Sequence, residues 1–148
     1  LVRNTAVGST VKALHGFACQ VCGTCLETLI GRYAEAAHIR PLGRPHNGPD
    51  ITSNVLCLCP NCHVQFDRLA IYVDEDRIVR QTRTGKEIGV LRSAPKHHVD
   101  PEQLAYQKAL CRPSTPDDTL IEPGDTVIQL VDHEGEMVPI IWTADEDQ

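Results

Sequence analysis

Four cysteines fall in two pairs of identical spacing, Cys19/Cys22 and Cys59/Cys62, far apart along the chain. Each Cys-x-x-Cys turn can present two thiolates to one tetrahedral Zn²⁺ at a metal–sulfur distance of about 2.3 Å. Four protein ligands leave no position open for water, so an ion held this way is structural. Its binding can contribute on the order of 10 kcal/mol to folding. Rival sets exist, because Cys25 could pair with Cys22 and Cys57 could replace Cys59. Gly23 directly after Cys22 favours the Cys19/Cys22 turn, since glycine accepts positive φ and lets amides approach sulfur. The total of seven cysteines is odd, and this spacing favours metal over disulfides in a reducing compartment. Cys25, Cys57 and Cys111 are expected as buried free thiols.

Among the seven histidines, three stand inside the cysteine frame or at its edge, His38, His46 and His63, and two of them have neighbours that suggest chemistry. His38 ends a small apolar segment. His63 directly follows Cys62, with Asp67 four residues later on the same helix face. A single histidine in an apolar strand is more often a core residue than a catalyst. The joint pattern is more telling: Ala36-Ala37-His38-Ile39, then Asn54, then Cys62-His63-Val64-Gln65-Phe66-Asp67. It resembles the HNH nucleases. Residues 33–67 look most like the HNH domains fused to base-reading SRA domains in bacterial modification-dependent restriction enzymes. Arg3 to Gly23 and His98-Val99-Asp100-Pro101 through Leu104-Ala105-Tyr106 are similar to that subgroup too, so the resemblance covers about residues 1–110.

The resemblance implies an α+β fold: a ββα-metal finger with a four-cysteine zinc site, extra short strands and flanking helices. It implies a DNA endonuclease in which His38 is the general base that activates water. Asn54 would fix the loop and the His38 backbone in a supporting role. A single divalent ion, Mg²⁺ or Mn²⁺, would be held in part by His63 and neutralise charge on the 3′ leaving oxygen. The products would be 5′-phosphate and 3′-hydroxyl ends. One position departs from the pattern: many HNH nucleases carry Asp or His immediately before the base, and here that residue is Ala37. Asp67 is favoured as the replacement ligand, with Glu35 as the alternative. Arg40 and Arg44 flank the base and are expected on DNA phosphates, ahead of Lys12 and Arg68. The substrate implied is double-stranded DNA, with modified cytosine read by an upstream domain and a homodimer as a plausible route to double-strand cutting.

These residues need elements to hold them. Val7, Val11 and Leu14 recur at helical steps over residues 5–14, with Gly16 as the stop, and Val11 and Leu14 should face the core. Residues 33–39 read as a strand ending at Pro41, and residues 41–53 as a loop of fixed turns containing His46. Residues 55–58 form a second strand, and a helix begins near His63. Segments 70–73, 78–81 and 88–91 suggest short strands. Asp100 as N-cap and Pro101 as first residue start a helix to about Leu110, with Leu104 and Ala105 inward. His97 and His98 are expected at the surface before it. Residues 126–131 and 137–142 resemble a hairpin, with His133 in its turn.

Composition bounds the rest. A chain of 148 residues fits one domain burying roughly two-thirds of its unfolded surface, and aromatics at 4 % leave the core to small aliphatics. No run approaches the roughly 20 apolar residues of a membrane span, and no secretory signal is visible, so a bacterial cytoplasmic protein is expected. The chain starts at Leu1 rather than Met, which points to a segment upstream. The net charge of −6 conceals a division. Residues 1–113 hold all 14 Lys and Arg against 10 Asp and Glu, a balance of +4, while residues 114–148 hold 10 acids and no Lys or Arg, −10. We therefore expect a nuclease domain over 1–113, its zinc-stapled core at about 17–69, and an acidic segment over 114–148. The competing readings are a catalytically silent zinc-stapled DNA-binding module and a protein-binding adaptor.

Overall fold

The computed structural model describes residues 5–111 in full, together with the backbone of 126–131 and 137–142. The chain divides into two units, Leu1–Pro113 and Ser114–Gln148. In the first, helix α1 (Thr5–Leu14) leads to a small hairpin, β1 (Leu26–Thr28) and β2 (Gly31–Tyr33). Strand β3 (Glu35–His38) pairs antiparallel with β4 (Val55–Leu58), placing Glu35 opposite Leu58 and His38 opposite Val55. Helix α2 (Pro60–Asp67) follows. A three-stranded antiparallel sheet of β5 (Ile71–Val73), β6 (Ile78–Gln81) and β7 (Glu87–Val90) comes next, and helix α3 (Pro101–Cys111) ends the unit. In the second unit, β8 (Thr126–Val131) and β9 (Met137–Trp142) form an antiparallel hairpin. The strand, loop, strand, helix run of β3 to α2 is the ββα finger expected within an α+β fold.

Strand β4 organises the core because all four of its side chains are buried. Alternation sends them to two sides. Val55 and Cys57 join Val11 of α1 and Ala34 in one cluster, with Val7 and Phe17 packed against it. Leu56 and Leu58 join Ala37, Ile39, Phe66, Ile71, Val73, Val79 and Leu104 in the larger one, which also contains Cys19, Cys59 and Cys62. Each fully buried aliphatic of this kind stabilises the fold by about 1.5–3 kcal/mol. At Gly8, α1 comes close to the sheet: a methyl group there would stand 2.8 Å from the Ala36 Cβ.

Several boundaries differ from the sequence reading. Tyr33 ends β2, and the expected strand from 33 starts only at Glu35; the hairpin before it was not foreseen. Helix α2 begins at Pro60 rather than near His63, because Cys59 acts as its N-cap, its sulfur accepting from the Cys62 amide, and Pro60 occupies the first turn. On α1 only Val11 is buried, Leu14 being half-buried. On α3 Leu104 is buried as expected but Ala105 is exposed, and the inward positions continue at Gln107 and Cys111. Gln107 donates its Nε2 to the Ile71 carbonyl at 2.9 Å, while its buried Oε1 has no hydrogen-bond partner among the described residues. His97 is buried, contrary to expectation, while His98 is exposed. Cys57 and Cys111 are buried free thiols; Cys25 is only half-buried. His133 lies outside the described residues. No helix among the described residues is long and apolar enough to cross a membrane.

Candidate metal centre and active site

The sulfur atoms of Cys19, Cys22, Cys59 and Cys62 all lie within 4.8 Å of one another, and Cys22 and Cys59 are 3.7 Å apart. Tetrahedral bonds of about 2.3 Å require sulfurs about 3.8 Å apart, so this set fits Zn²⁺. Both turns aim an amide at the first sulfur: Cys22 N to Cys19 Sγ at 3.5 Å and Cys62 N to Cys59 Sγ at 3.4 Å. Gly23 closes its turn by donating to the Cys19 carbonyl at 2.8 Å with φ at +79°. A side chain there would also collide with the Arg92 guanidinium, which lies over the turn. Burial and then the neighbouring Cys19 push the Cys62 thiol up. A divalent cation relieves this crowding by displacing the protons. Gln20, fully buried, ties the turn to its surroundings by accepting from the Cys57 amide at 2.9 Å and donating to the Arg92 carbonyl at 2.9 Å.

His38, at the end of β3, faces the loop that returns to β4. Its Nε2 lies 2.9 Å from Asp50 Oδ1, and both side chains are about one-fifth exposed, at 17 % and 21 %. Asn54, completely buried, fastens that loop. Its Oδ1 accepts from the Arg40 amide at 2.9 Å, and its Nδ2 donates to the carbonyls of Arg40 at 2.9 Å and Pro49 at 2.8 Å. The Asn54 carbonyl also accepts from Ile39 N at 2.8 Å. Gly48 donates to the Pro41 carbonyl at 2.7 Å and rests against the Arg40 carbonyl so closely that a β-carbon would overlap it.

His63, on the first turns of α2, stands between two carboxylates. Glu35 Oε1 from β3 is 2.8 Å from Nδ1, and Asp67 Oδ2 is 3.0 Å from Nε2. Asp67, with Glu35 behind it, outweighs burial and holds His63 up at about 9. The Tyr33 hydroxyl, donating at 2.6 Å, and then His63 keep the Glu35 carboxyl below its ordinary value. Imidazole nitrogen with carboxylate oxygen is a donor set that Mg²⁺ and Mn²⁺ accept when water and phosphate fill the remaining positions. Binding there would displace the proton His63 shares with one carboxylate.

Among the described residues no hydrogen bond joins His38 to His63; each has its own carboxylate partners. Arg40 is held in place, its Nε donating to the His46 carbonyl at 2.6 Å and its guanidinium 4.3 Å from the centre of the Tyr106 ring. Tyr106 Oη lies 2.8 Å from His46 Nδ1. Arg44 and Arg68 are exposed and Lys12 is half-buried. Asp50, Tyr33 and Tyr106 were missed from the sequence. Each reaches its partner through a loop closure, a hairpin or a distant helix, and no local spacing signals such contacts.

Residues 19–74 match the family model described as HNH endonuclease. Among solved structures, a modification-dependent restriction endonuclease, TagI, is similar to this chain at 46 % identity and a TM-score of 0.72. The alignment covers 74 % of this chain and 39 % of that one. No curated protein matches the chain.

Proposed function

We propose that the chain, whose residues 19–74 match the HNH endonuclease model, is the cleavage module of a modification-dependent restriction enzyme, hydrolysing phosphodiester bonds in double-stranded DNA. The observation that carries this is the placement of His38 on a loop edge clamped by Asn54, in the same ββα finger that sets His63 among Glu35 and Asp67. His38 takes the proton of the attacking water. Asn54 keeps the strand end and the loop in register around it. His63 with Asp67, or with Glu35 in place of the missing ligand at Ala37, would hold Mg²⁺ or Mn²⁺, which when bound would supply charge stabilisation at the leaving oxygen. Arg40, and Arg44 beyond it, contact phosphate. The products are 5′-phosphate and 3′-hydroxyl ends, and modified cytosine is read by a separate domain of the parent protein. Cutting both strands calls for two such sites, as in a homodimer.

Supercoiled plasmid incubated with the zinc-loaded chain and Mn²⁺ or Mg²⁺ tests this reading. Nicking that disappears in His38→Ala, and comparison of unmodified with cytosine-modified duplex in a longer parent chain, are the two arms. Full cutting by His38→Ala would sink the assignment of the base. A second reading, a zinc-stapled module that binds DNA without cutting it, draws on Ala37 and on the engagement of both His63 ring nitrogens by carboxylates. It predicts salt-dependent DNA binding with no metal-dependent cleavage.

A further inference from the structure

We infer that Asp50 is the positioning residue of the proposed base, fixing which ring nitrogen of His38 carries the lone pair. The inference rests on the nuclease reading and adds to it a residue that lies outside the motif. A carboxylate can only accept, so the 2.9 Å contact between Asp50 Oδ1 and His38 Nε2 places a hydrogen on Nε2. The neutral ring then has its lone pair on Nδ1. No protein group among the described residues hydrogen-bonds that nitrogen, and the side chain retains 17 % exposure. Nδ1 is therefore the nitrogen left to accept a proton from water.

The surroundings of Asp50 keep this contact in place. Asn54 holds Pro49, the residue before Asp50, through its carbonyl, and holds Arg40, two residues after His38, through both its amide and its carbonyl. The two chain segments bearing the pair are thus fastened to one buried side chain. Gly48 supplies the close approach, donating to Pro41 and packing on Arg40 where no side chain fits. In the reaction, the water proton passes to His38 Nδ1 as the water oxygen bonds to phosphorus. The P–O3′ bond breaks, its electron pair leaves on the 3′ oxygen, and that oxygen takes a proton from solvent. Asp50 accepts from Nε2–H throughout and stabilises the imidazolium that forms, the orienting role a carboxylate plays behind a histidine base.

The test uses the full zinc-loaded chain and two variants, Asp50→Ala and Asp50→Asn. The readouts are plasmid cleavage under single turnover with Mn²⁺, duplex affinity in Ca²⁺, thermal melting, and the ¹⁵N shifts of the His38 ring. The expected result is an Nε2–H tautomer in the parent chain and a mixed tautomer in Asp50→Ala. The cleavage rate of Asp50→Ala should fall by about 10²-fold or more, with duplex affinity and melting unchanged. Asp50→Asn, whose amide oxygen still accepts, should keep the tautomer and recover part of the rate. Cleavage by Asp50→Ala within about threefold of the parent would overturn the inference, as would an unaltered tautomer or a rate loss matched by lost folding or DNA binding. A parent chain that does not cut, or a His38→Ala chain that cuts fully, removes the nuclease reading itself and with it the role of Asp50. A cutting, His38-dependent parent with an indifferent Asp50→Ala removes only the latter.

Discussion

At the scale of single residues, the site consists of histidines with different neighbours. His38 has one carboxylate and a second nitrogen that no described protein group engages; His63 has two carboxylates; elsewhere in the unit, His15 and His97 have each other. Replacing His38 with alanine should lower plasmid nicking by about 10²–10⁴-fold while leaving duplex affinity intact, measured side by side in Mn²⁺ and Ca²⁺. The His15–His97 pair gives a different prediction. His97 Nε2 lies 2.9 Å from the Thr52 carbonyl and must donate to it, so its Nδ1 accepts from His15 Nε2 at 2.7 Å. Burial, and then the electrostatic effect of the neighbouring His97, lower His15 to about 4. A histidine held below its ordinary value binds fewer protons folded than unfolded. Its stabilising effect is therefore complete above about 6.5 and is lost as pH falls from there toward 4. Melting temperatures of the parent chain and of His15→Gln, followed from pH 7.5 to 4.5, should converge as the pH drops. Parallel curves would contradict this. The cysteine pairs, His38, Asn54 and His63 were legible because each belongs to a local spacing. Asp50 and the burial of His97 were not, since both depend on where a loop lands.

At the scale of elements, the loop between β3 and β4 is held by one side chain rather than by a ladder of its own. Asn54→Ala removes three hydrogen bonds at a fully buried position and should cost about 3 kcal/mol in urea denaturation, with cleavage falling further than stability because His38 and Asp50 lose their register. Gly48→Ala should cost about 1–3 kcal/mol through forced displacement from the Arg40 carbonyl and should mimic the catalytic defect of Asn54→Ala. A Gly48→Ala chain with full rate would mean that the loop yields without disturbing the site. The β1–β2 hairpin behaves differently: Leu29 and Ile30 at its tip are fully exposed. The double change to serine should leave melting within about 1 °C, since nothing is uncovered by it. This hairpin escaped the sequence reading because its strands are three residues long and carry no buried face. The apolar run of β4 and the Asp100–Pro101 start of α3 were readable because periodicity and capping are local properties.

At the scale of the whole molecule, metal and charge set the behaviour. Removing zinc with a strong chelator should unfold unit Leu1–Pro113, a loss on the order of 10 kcal/mol, seen as collapse of the melting transition with about one equivalent of zinc released; an undiminished transition would show that the four thiols are dispensable. Deleting residues 114–148, which carry a balance of −10, should tighten DNA binding at low salt, with the difference vanishing toward about 0.5 M as screening shortens to a few ångström. Equal affinity across salt would mean that the acidic segment does not influence the basic unit. The division of charge was visible in the sequence, whereas the tertiary arrangement that puts Arg40 on Tyr106 was not. The four-cysteine centre has one more consequence. It joins Cys19 and Cys22, before the hairpin, to Cys59 and Cys62, after β4, and every residue assigned to the proposed chemistry, from Glu35 to Asp67, follows the exposed tip at Leu29 and Ile30. A chain divided at that tip would consist of one fragment holding the reactive groups and another holding half of the zinc ligands. Zinc then becomes the condition for their reunion, which makes this turn the natural place to build a two-part nuclease that assembles on demand.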